Sequence, residues 1–398
     1  MDAIKALRSQ GLRGLAKLRP VGSRVPRIPP NGEAPSTFDW DENYHTEFCV
    51  SGTTALALAV AVAIGERQLA YTPEVILPAY GCPDLVAAVL AQKAKPVLVD
   101  LVPDSPHMDL EKVKEAFSGA TVAIVGVGLL GVPERLELLS ELCQSNGVAL
   151  IEDSAQCFPP ASEHQRWADL IVLSFGRGKP VNLMGGGALL VRKDLLSGAK
   201  PIINRFPLIE MKLGFRWKVK RLVFNFLLRR FPYFLTEKLP GLNIGETRFK
   251  TLDEVVRLAL PERLLHLGID HFHQRSAMHR DYLEQLDPLQ KNGWCFLDTE
   301  PISRELQRVA RNRFGLLAPS RHHRDLAERK LNRAGVGASG LYRRILPKID
   351  GIRGISGTSD YPNARSFAER LLTLPCHEDV TTDDITLIVR ILIGLSRE

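Results

Sequence analysis

Long apolar runs are missing from this 398-residue chain: the longest, residues 55–64, is well short of the ~20 residues that a membrane-spanning helix needs. Paired cysteines are missing too. The six present, Cys49, Cys82, Cys143, Cys157, Cys295 and Cys376, contain no C-x-x-C pair and no zinc spacing with His. His271/His273 and His322/His323 have no acidic or Cys partners at metal spacing, so packing or surface roles are expected and no metal site. The first residues carry Lys5, Arg8, Arg13 and Lys17 with no apolar stretch behind them. No secretory signal is read there, and a reduced, cytoplasmic setting is expected. The net charge of +7 is modest and no nucleic-acid motif accompanies it, so no nucleic-acid partner is expected. Internal repeats and long low-complexity tracts are absent as well.

What is present is an ordinary soluble composition, long enough for one large α/β domain and a smaller one. Residues 1–35 are basic and then rich in Pro and Gly, and read as an N-terminal arm. Strands are predicted at 75–78, 96–100, 122–127, 149–152, 170–175 and 188–191, with helices near 52–66, 84–93, 109–117, 133–146 and 193–197. Such alternation predicts a mostly parallel sheet covered on both faces. The large domain is placed at 36–250, with a basic aromatic insert at 205–250. Helical periodicity over 252–286 then leads into a smaller C-terminal α/β domain, the two together spanning 251–398.

Three features fall where open α/β sheets bind ligands, at the carboxyl ends of strands. The first is Ser51-Gly52-Thr53-Thr54 ahead of an apolar helix, a place where small residues and free N–H groups suit an anion; a plain helix cap has the same residues. The second is Glu152-Asp153-Ser154-Ala155-Gln156 after an apolar strand. Asp153 suits a protonated pyridine nitrogen such as that of pyridoxal phosphate, and Gln156 its phenolic oxygen. A strand-end acid capping the next helix fits the same dipeptide. The third is Ser174-Phe175-Gly176-Arg177-Gly178-Lys179, a lysine in a Gly-flanked turn suited to Schiff-base chemistry, with Ser174 in reach of a phosphate. Read alone, this turn also fits an anion-binding loop, although not a nucleotide P-loop. In chain order, phosphate cradle, acid and lysine resemble fold-type I pyridoxal-phosphate enzymes.

Further segments narrow the likeness. Ser51-Gly52-Thr53-Thr54-Ala55-Leu56, Lys95-Pro96-Val97-Leu98-Val99-Asp100, Leu129-Leu130-Gly131-Val132-Pro133, Tyr361-Pro362-Asn363-Ala364 and Leu374-Pro375-Cys376-His377 are similar to motifs of the DegT/DnrJ/StrS family of sugar aminotransferases. The resemblance implies a fold-type I transferase with a mostly parallel, seven-stranded sheet, and a homodimer with its active sites at the subunit interface. It implies pyridoxal phosphate carried by Lys179, with Asp153 on the ring nitrogen and Gln156 on the 3-oxygen. It also implies amino transfer from an amino acid, L-glutamate in most members, to a keto-sugar, nucleotide- or lipid-linked, in polysaccharide or glycoconjugate synthesis. Relatives acting as dehydratases replace the lysine with His. Two positions depart from the family pattern. The ring-stacking aromatic falls at Cys82 in Pro78-Ala79-Tyr80-Gly81-Cys82-Pro83, so either Cys82 or Tyr80 faces the ring, with Cys82 favoured. The partner-subunit asparagine falls in Gly241-Leu242-Asn243-Ile244-Gly245-Glu246-Thr247-Arg248-Phe249, where Asn243, or Thr247 with Arg248, takes its place. A pyridoxal-phosphate enzyme of another reaction type and a ligand-binding pseudoenzyme remain alternatives.

The insert is the largest departure. On a helix, Lys218, Arg221, Asn225 and Arg229 form one polar stripe and nearly everything else is apolar. Residues 213–235 therefore read either as a membrane-surface segment or as an apolar face packed on a partner subunit with the basic stripe in solvent.

Overall fold

The computed structural model describes residues 17–28, 37–65, 71–237, 247–275, 278–297, 310–354 and 360–395. The large sheet is made of β1 (Tyr44–Cys49), β2 (Glu74–Pro78), β3 (Lys95–Val99), β4 (Thr121–Val127), β5 (Ala149–Asp153), β6 (Leu170–Ser174), β7 (Gly187–Arg192), β8 (Leu208–Glu210) and β9 (Arg257–Ala259). Their order is β3-β2-β4-β5-β6-β7-β1-β9-β8. Neighbours from β3 to β6 are parallel, while β7 runs against β6 and β1 against β7. The six strands predicted from sequence are all in this sheet; β1, β8 and β9 were not predicted. β9 interrupts the stretch 252–286 that reads as helical.

Alternate residues of the central strands feed two different cores. Val75, Leu77, Leu170 and Val172 pack on one side, and Ile76, Ile171 and Leu173 on the other. Both faces are therefore covered, which is why these strands read as continuous apolar runs.

The helices of the large sheet are α1 (Gly52–Ile64), α2 (Asp84–Ala91), α3 (Leu110–Ala116), α4 (Leu136–Asn146), α5 (Ser162–Gln165), α6 (Leu196–Ile203), α7 (Phe215–Leu227), α8 (Arg230–Glu237) and α9 (Glu262–His273). Helix α1 is apolar all round because it is a core helix, with Ala55 to Val60 all buried. The chain continues through α10 (His279–Leu286), β10 (Cys295–Phe296), β11 (Arg313–Leu317), α11 (Arg321–Arg333), α12 (Pro362–Arg370), β12 (Leu371–Pro375) and α13 (Thr382–Leu395). Strands β10, β11 and β12 form an antiparallel sheet with a core of its own, centred on Tyr282, Trp294, Phe314 and Leu374.

Residues 17–28 are packed rather than trailing. Leu18, Arg19 and Val25 are buried, and the Arg19 guanidinium pairs with Glu378 and Asp379. The insert turns part of its polar stripe inward. Asn225 accepts from the Val25 N–H and donates to the Val25 carbonyl, both at 2.9 Å, and Arg221 also donates to that carbonyl. Arg221 and Asn225 thus grip the N-terminal segment, whose unpaired backbone groups need partners, while Lys218 and Arg229 stay exposed. Phe215, Val219, Leu222, Val223 and Phe226 are left exposed on the other side of α7. Among the described residues no helix is long and apolar enough to cross a membrane.

Candidate active site

Strands β4, β5 and β6 end side by side. Asp153, the last residue of β5, pairs with Val127 on one side and Val172 on the other. Its carboxylate is held by the Ala155 N–H at 2.9 Å. Burial pushes the Asp153 carboxyl up, opposed by the nearby Lys179 ammonium. Glu152, next to it, points elsewhere: it accepts from the N–H groups of Ala161 and Ser162 and so fixes the loop after β5. The two acids of the dipeptide therefore do different work, one structural and one facing the cleft.

Lys179 lies in the turn joining β6 to β7. Gly178 has φ +78, a conformation that any side chain would strain. Asn312, from the smaller domain, donates to the Gly178 carbonyl at 3.0 Å and clamps the turn. The start of α1 is pressed against the same strand ends. A Cβ on Gly52 would sit 2.6 Å from the Ser174 Cβ, and one on Gly187 2.6 Å from the Ser51 carbonyl carbon. Only glycine allows this approach. Ser51 caps the helix by accepting from the Thr54 N–H at 3.1 Å.

One cleft collects these groups. Gly52, Thr53, Cys82, Asp153, Gln156, Ser174 and Lys179 all line it. Thr54 does not: it is buried, and its hydroxyl bonds to Ser51. Tyr80 does not either. It is buried and stacks edge-on with Tyr342 and Phe367. Asn243 lies outside the described residues. The Cys82 thiol is pushed up to about 11 by burial and by Asp84, so it is a neutral, apolar surface at neutral pH.

Sequence reasoning missed Asp84, which lines the cleft and accepts from the Thr53 hydroxyl at 2.9 Å. It missed Gly128, where a Cβ would meet the Cys157 Cβ at 2.7 Å, and Asn312. The Tyr342 hydroxyl accepts from the Gln156 carboxamide at 3.2 Å. A second chamber adjoins the cleft through Cys82 and Asp84, lined also by Tyr233, Arg313, Ser339 and Tyr342. The Asp84 and Asn312 contacts are long-range pairings between elements, and no local pattern announces them.

The DegT/DnrJ/EryC1/StrS aminotransferase family model matches residues 41–215 and 262–393, more than half of the chain. The chain belongs to this family. The matched stretches leave out 216–261, which holds nearly all of α7 and the whole of α8. Among curated relatives, the UDP-2-acetamido-2-deoxy-3-oxo-D-glucuronate aminotransferase of Pseudomonas aeruginosa is 31% identical over 38% of this chain and 42% of its own length. The dTDP-3-amino-3,4,6-trideoxy-alpha-D-glucose transaminase of Streptomyces venezuelae is 27% identical over 84% of this chain and 81% of its own. The chain thus spans less than half the length of the first of these and most of the second. A further relative, the UDP-N-acetyl-3-dehydro-alpha-D-glucosamine 3-aminotransferase of Acidithiobacillus ferrooxidans, is covered over 40% of its length. Among solved structures, the Helicobacter pylori aminotransferase involved in pseudoaminic acid biosynthesis superposes with TM-score 0.66 at 16% identity, covering 96% of this chain and 99% of that one. Bacillus subtilis NtdA with bound cofactor PMP gives TM-score 0.66 at 18% identity, covering 93% and 79%. These likenesses show the fold-type I architecture.

The residues of the cleft fit the pyridoxal phosphate on which that fold is built. An amine and a buried carboxylate face one space, the helix start beside Ser174 has no side chain to block an anion, and a neutral thiol forms a wall.

Proposed function

We propose that the chain is a pyridoxal-phosphate-dependent aminotransferase moving an amino group from an amino acid, L-glutamate in the first instance, to a keto-sugar. The observation that carries this reading is the convergence of Lys179, Asp153 and Gln156 on one cleft at the strand ends. When bound, the cofactor supplies an electron sink that stabilises the negative charge left on a substrate carbon that loses its proton.

The protein's own part follows from its groups. Lys179 Nζ holds the cofactor and is the base that takes and returns the substrate proton. Asp153, buried and acceptor-only when ionised, keeps a proton on the ring nitrogen. The α1 N-terminus at Gly52 and Thr53, with the Ser174 hydroxyl, holds the phosphate. Gln156, itself held by Tyr342, orients the ring oxygen. Two curated relatives are named for nucleotide-linked sugars, a 3-oxo sugar in one and a 3-amino sugar in the other, which supports a nucleotide-linked acceptor; the reading extends to a lipid-linked one and to polysaccharide or glycoconjugate synthesis. Incubation with isotopically labelled L-glutamate and a panel of nucleotide-linked keto-sugars tests this. Label in an aminated sugar supports the reading, whereas a panel returned unlabelled with every amino donor overturns it.

The reading includes a cytoplasmic homodimer, as in the family resemblance, and a peripheral contact of α7 with the membrane. Its exposed apolar face is flanked by Arg216, Lys218, Lys220 and Arg229, and no acidic residue lies between 211 and 236. A cationic rim around an apolar strip suits an anionic lipid surface. Co-sedimentation with anionic vesicles at moderate salt, lost in Phe226→Asp, is the expected result. Absence of binding by the native protein would leave this face to the partner subunit.

A further inference from the structure

A cation with no carboxylate partner among the described residues lines the chamber beside the cleft. It is Arg313, the first residue of β11. Its Nη1 donates to the Ser339 hydroxyl at 2.7 Å and to the Thr373 hydroxyl at 2.9 Å, and those hydroxyls bond each other at 2.9 Å. Among the described residues no carboxylate pairs with it, and its Nε and Nη2 make no hydrogen bond. Two other cations of the chamber are ion-paired, Lys17 with Glu237 at 2.6 Å and Arg343 with Glu328, while the Asp84 carboxylate accepts from the Thr53 hydroxyl.

The surroundings are costly for an unpaired charge. Burial pushes the Arg313 guanidinium down to about 10, and the ionisable groups that bear on it are the hydroxyls of Tyr342, Tyr233 and Tyr80. An arginine remains charged even so at neutral pH. Arg313 is half-buried, so its charge is partly stripped of water, and an anion set against it would offset that cost. The two hydroxyls fix one edge of the guanidinium and leave the Nε/Nη2 edge free, which is the edge that matches the two oxygens of a carboxylate. The chamber shares Cys82 and Asp84 with the cleft, and Tyr342 on its wall holds Gln156 in the cleft. An anion on Arg313 therefore belongs to a molecule whose other end reaches toward Lys179.

We propose that Arg313 is the carboxylate receptor of the substrate site, selecting substrates that carry a carboxylate through its free guanidinium edge. The proposal rests on the aminotransferase reading for its substrates, and two sources supply such a group: the α-carboxylate of the amino donor, or a carboxylate on an acid-sugar acceptor. Calorimetry on the cofactor-loaded protein separates them without requiring turnover. The donor arm compares α-methyl-L-glutamate, which has no α-proton to lose, with its α-carboxamide. The acceptor arm compares UDP-glucuronate with UDP-glucose.

In one of the two pairs the carboxylate probe binds the native protein about a hundredfold more tightly. Arg313→Met brings that pair to within a few-fold, and Arg313→Lys, which keeps charge but not the fork, recovers only part of the preference. A general loss of structure would weaken all four probes together, whereas the carboxylate-to-neutral ratio reports the guanidinium alone. Collapse of the α-methyl-L-glutamate ratio assigns the donor, and collapse of the glucuronate ratio assigns the acceptor. A folded Arg313→Met protein, with unchanged circular dichroism and cofactor absorption, that keeps both native ratios overturns the proposal. So does a native protein with no preference in either pair. A protein that shows the ratio but transfers no amino group contradicts the aminotransferase reading and leaves the receptor standing.

Discussion

The Lys179 cleft and the Arg313 chamber adjoin, yet they are built by different means. The cleft is made where backbone segments crowd together: parallel strand ends, a helix start and glycines at which a Cβ would come within 2.6–2.7 Å of a neighbouring atom. The chamber is made of side chains drawn from segments far apart, among them Lys17, Tyr233, Arg313 and Tyr342. A site of the first kind tolerates almost no change in shape and serves chemistry common to a family. One of the second kind can be altered residue by residue, and that is where a chain sets which substrate it takes.

The largest expected effect falls on the cleft. Asp153→Asn preserves shape but removes the charge that keeps a proton on the ring nitrogen, and turnover is expected to fall on the order of a hundredfold or more. A matched binding measurement for the acceptor should show little change, separating chemistry from recognition. Next comes Gly52→Ala, which forces the start of α1 away from Ser174. Overpacking of this kind costs about 1–3 kcal/mol, read as a lower midpoint in urea and a weaker hold on pyridoxal phosphate. An unchanged midpoint and affinity would mean that the helix start can retreat without loss.

The smallest effect concerns the anchoring of residues 17–28, of which Lys17 and Pro20 line the chamber. His377 lies buried with its Nε2 at 2.9 Å from the Arg19 carbonyl. Burial, with the Arg19 charge, pushes its imidazole down to about 3. In the unfolded chain it titrates near its ordinary value of about 6.5. Below that pH the unfolded chain binds a proton that the folded one refuses. The stability contributed by neutral His377 is therefore complete above about 6.5 and is lost as pH falls toward 3, at about 1.4 kcal/mol per pH unit. Denaturation midpoints of His377→Gln between pH 7 and 5 should fall less steeply than those of the native chain; parallel slopes would refute the buried neutral state.

Much of this was legible in the sequence, for a physical reason. Strands buried on both faces are apolar at every position, so Val122 to Val127 and Leu170 to Leu173 announce themselves. Ser51, Gly52, Asp153 and Lys179 were legible because strand ends and helix starts admit few residue types. Strand β1 was not, since His45, Thr46 and Glu47 interrupt its apolar pattern while it still pairs with β7 over six residues. The orientation of α7 was also hidden. A wheel shows that Arg221 and Asn225 share a face, but only the Val25 backbone, some 200 positions away, makes that face the inward one. Arg313 carries no local signal either: its meaning comes from the carboxylates that are not beside it.

The central claim is that Lys179 holds pyridoxal phosphate in a cleft that accepts an amino donor. Absorption spectroscopy of the purified protein, titrated with pyridoxal phosphate and then with L-glutamate, tests it most directly. The account predicts a visible band that forms with the native chain, bleaches on addition of the amino acid, and does not form in Lys179→Ala. A native chain that gains no band, or a Lys179→Ala protein that gains the same one, would contradict it.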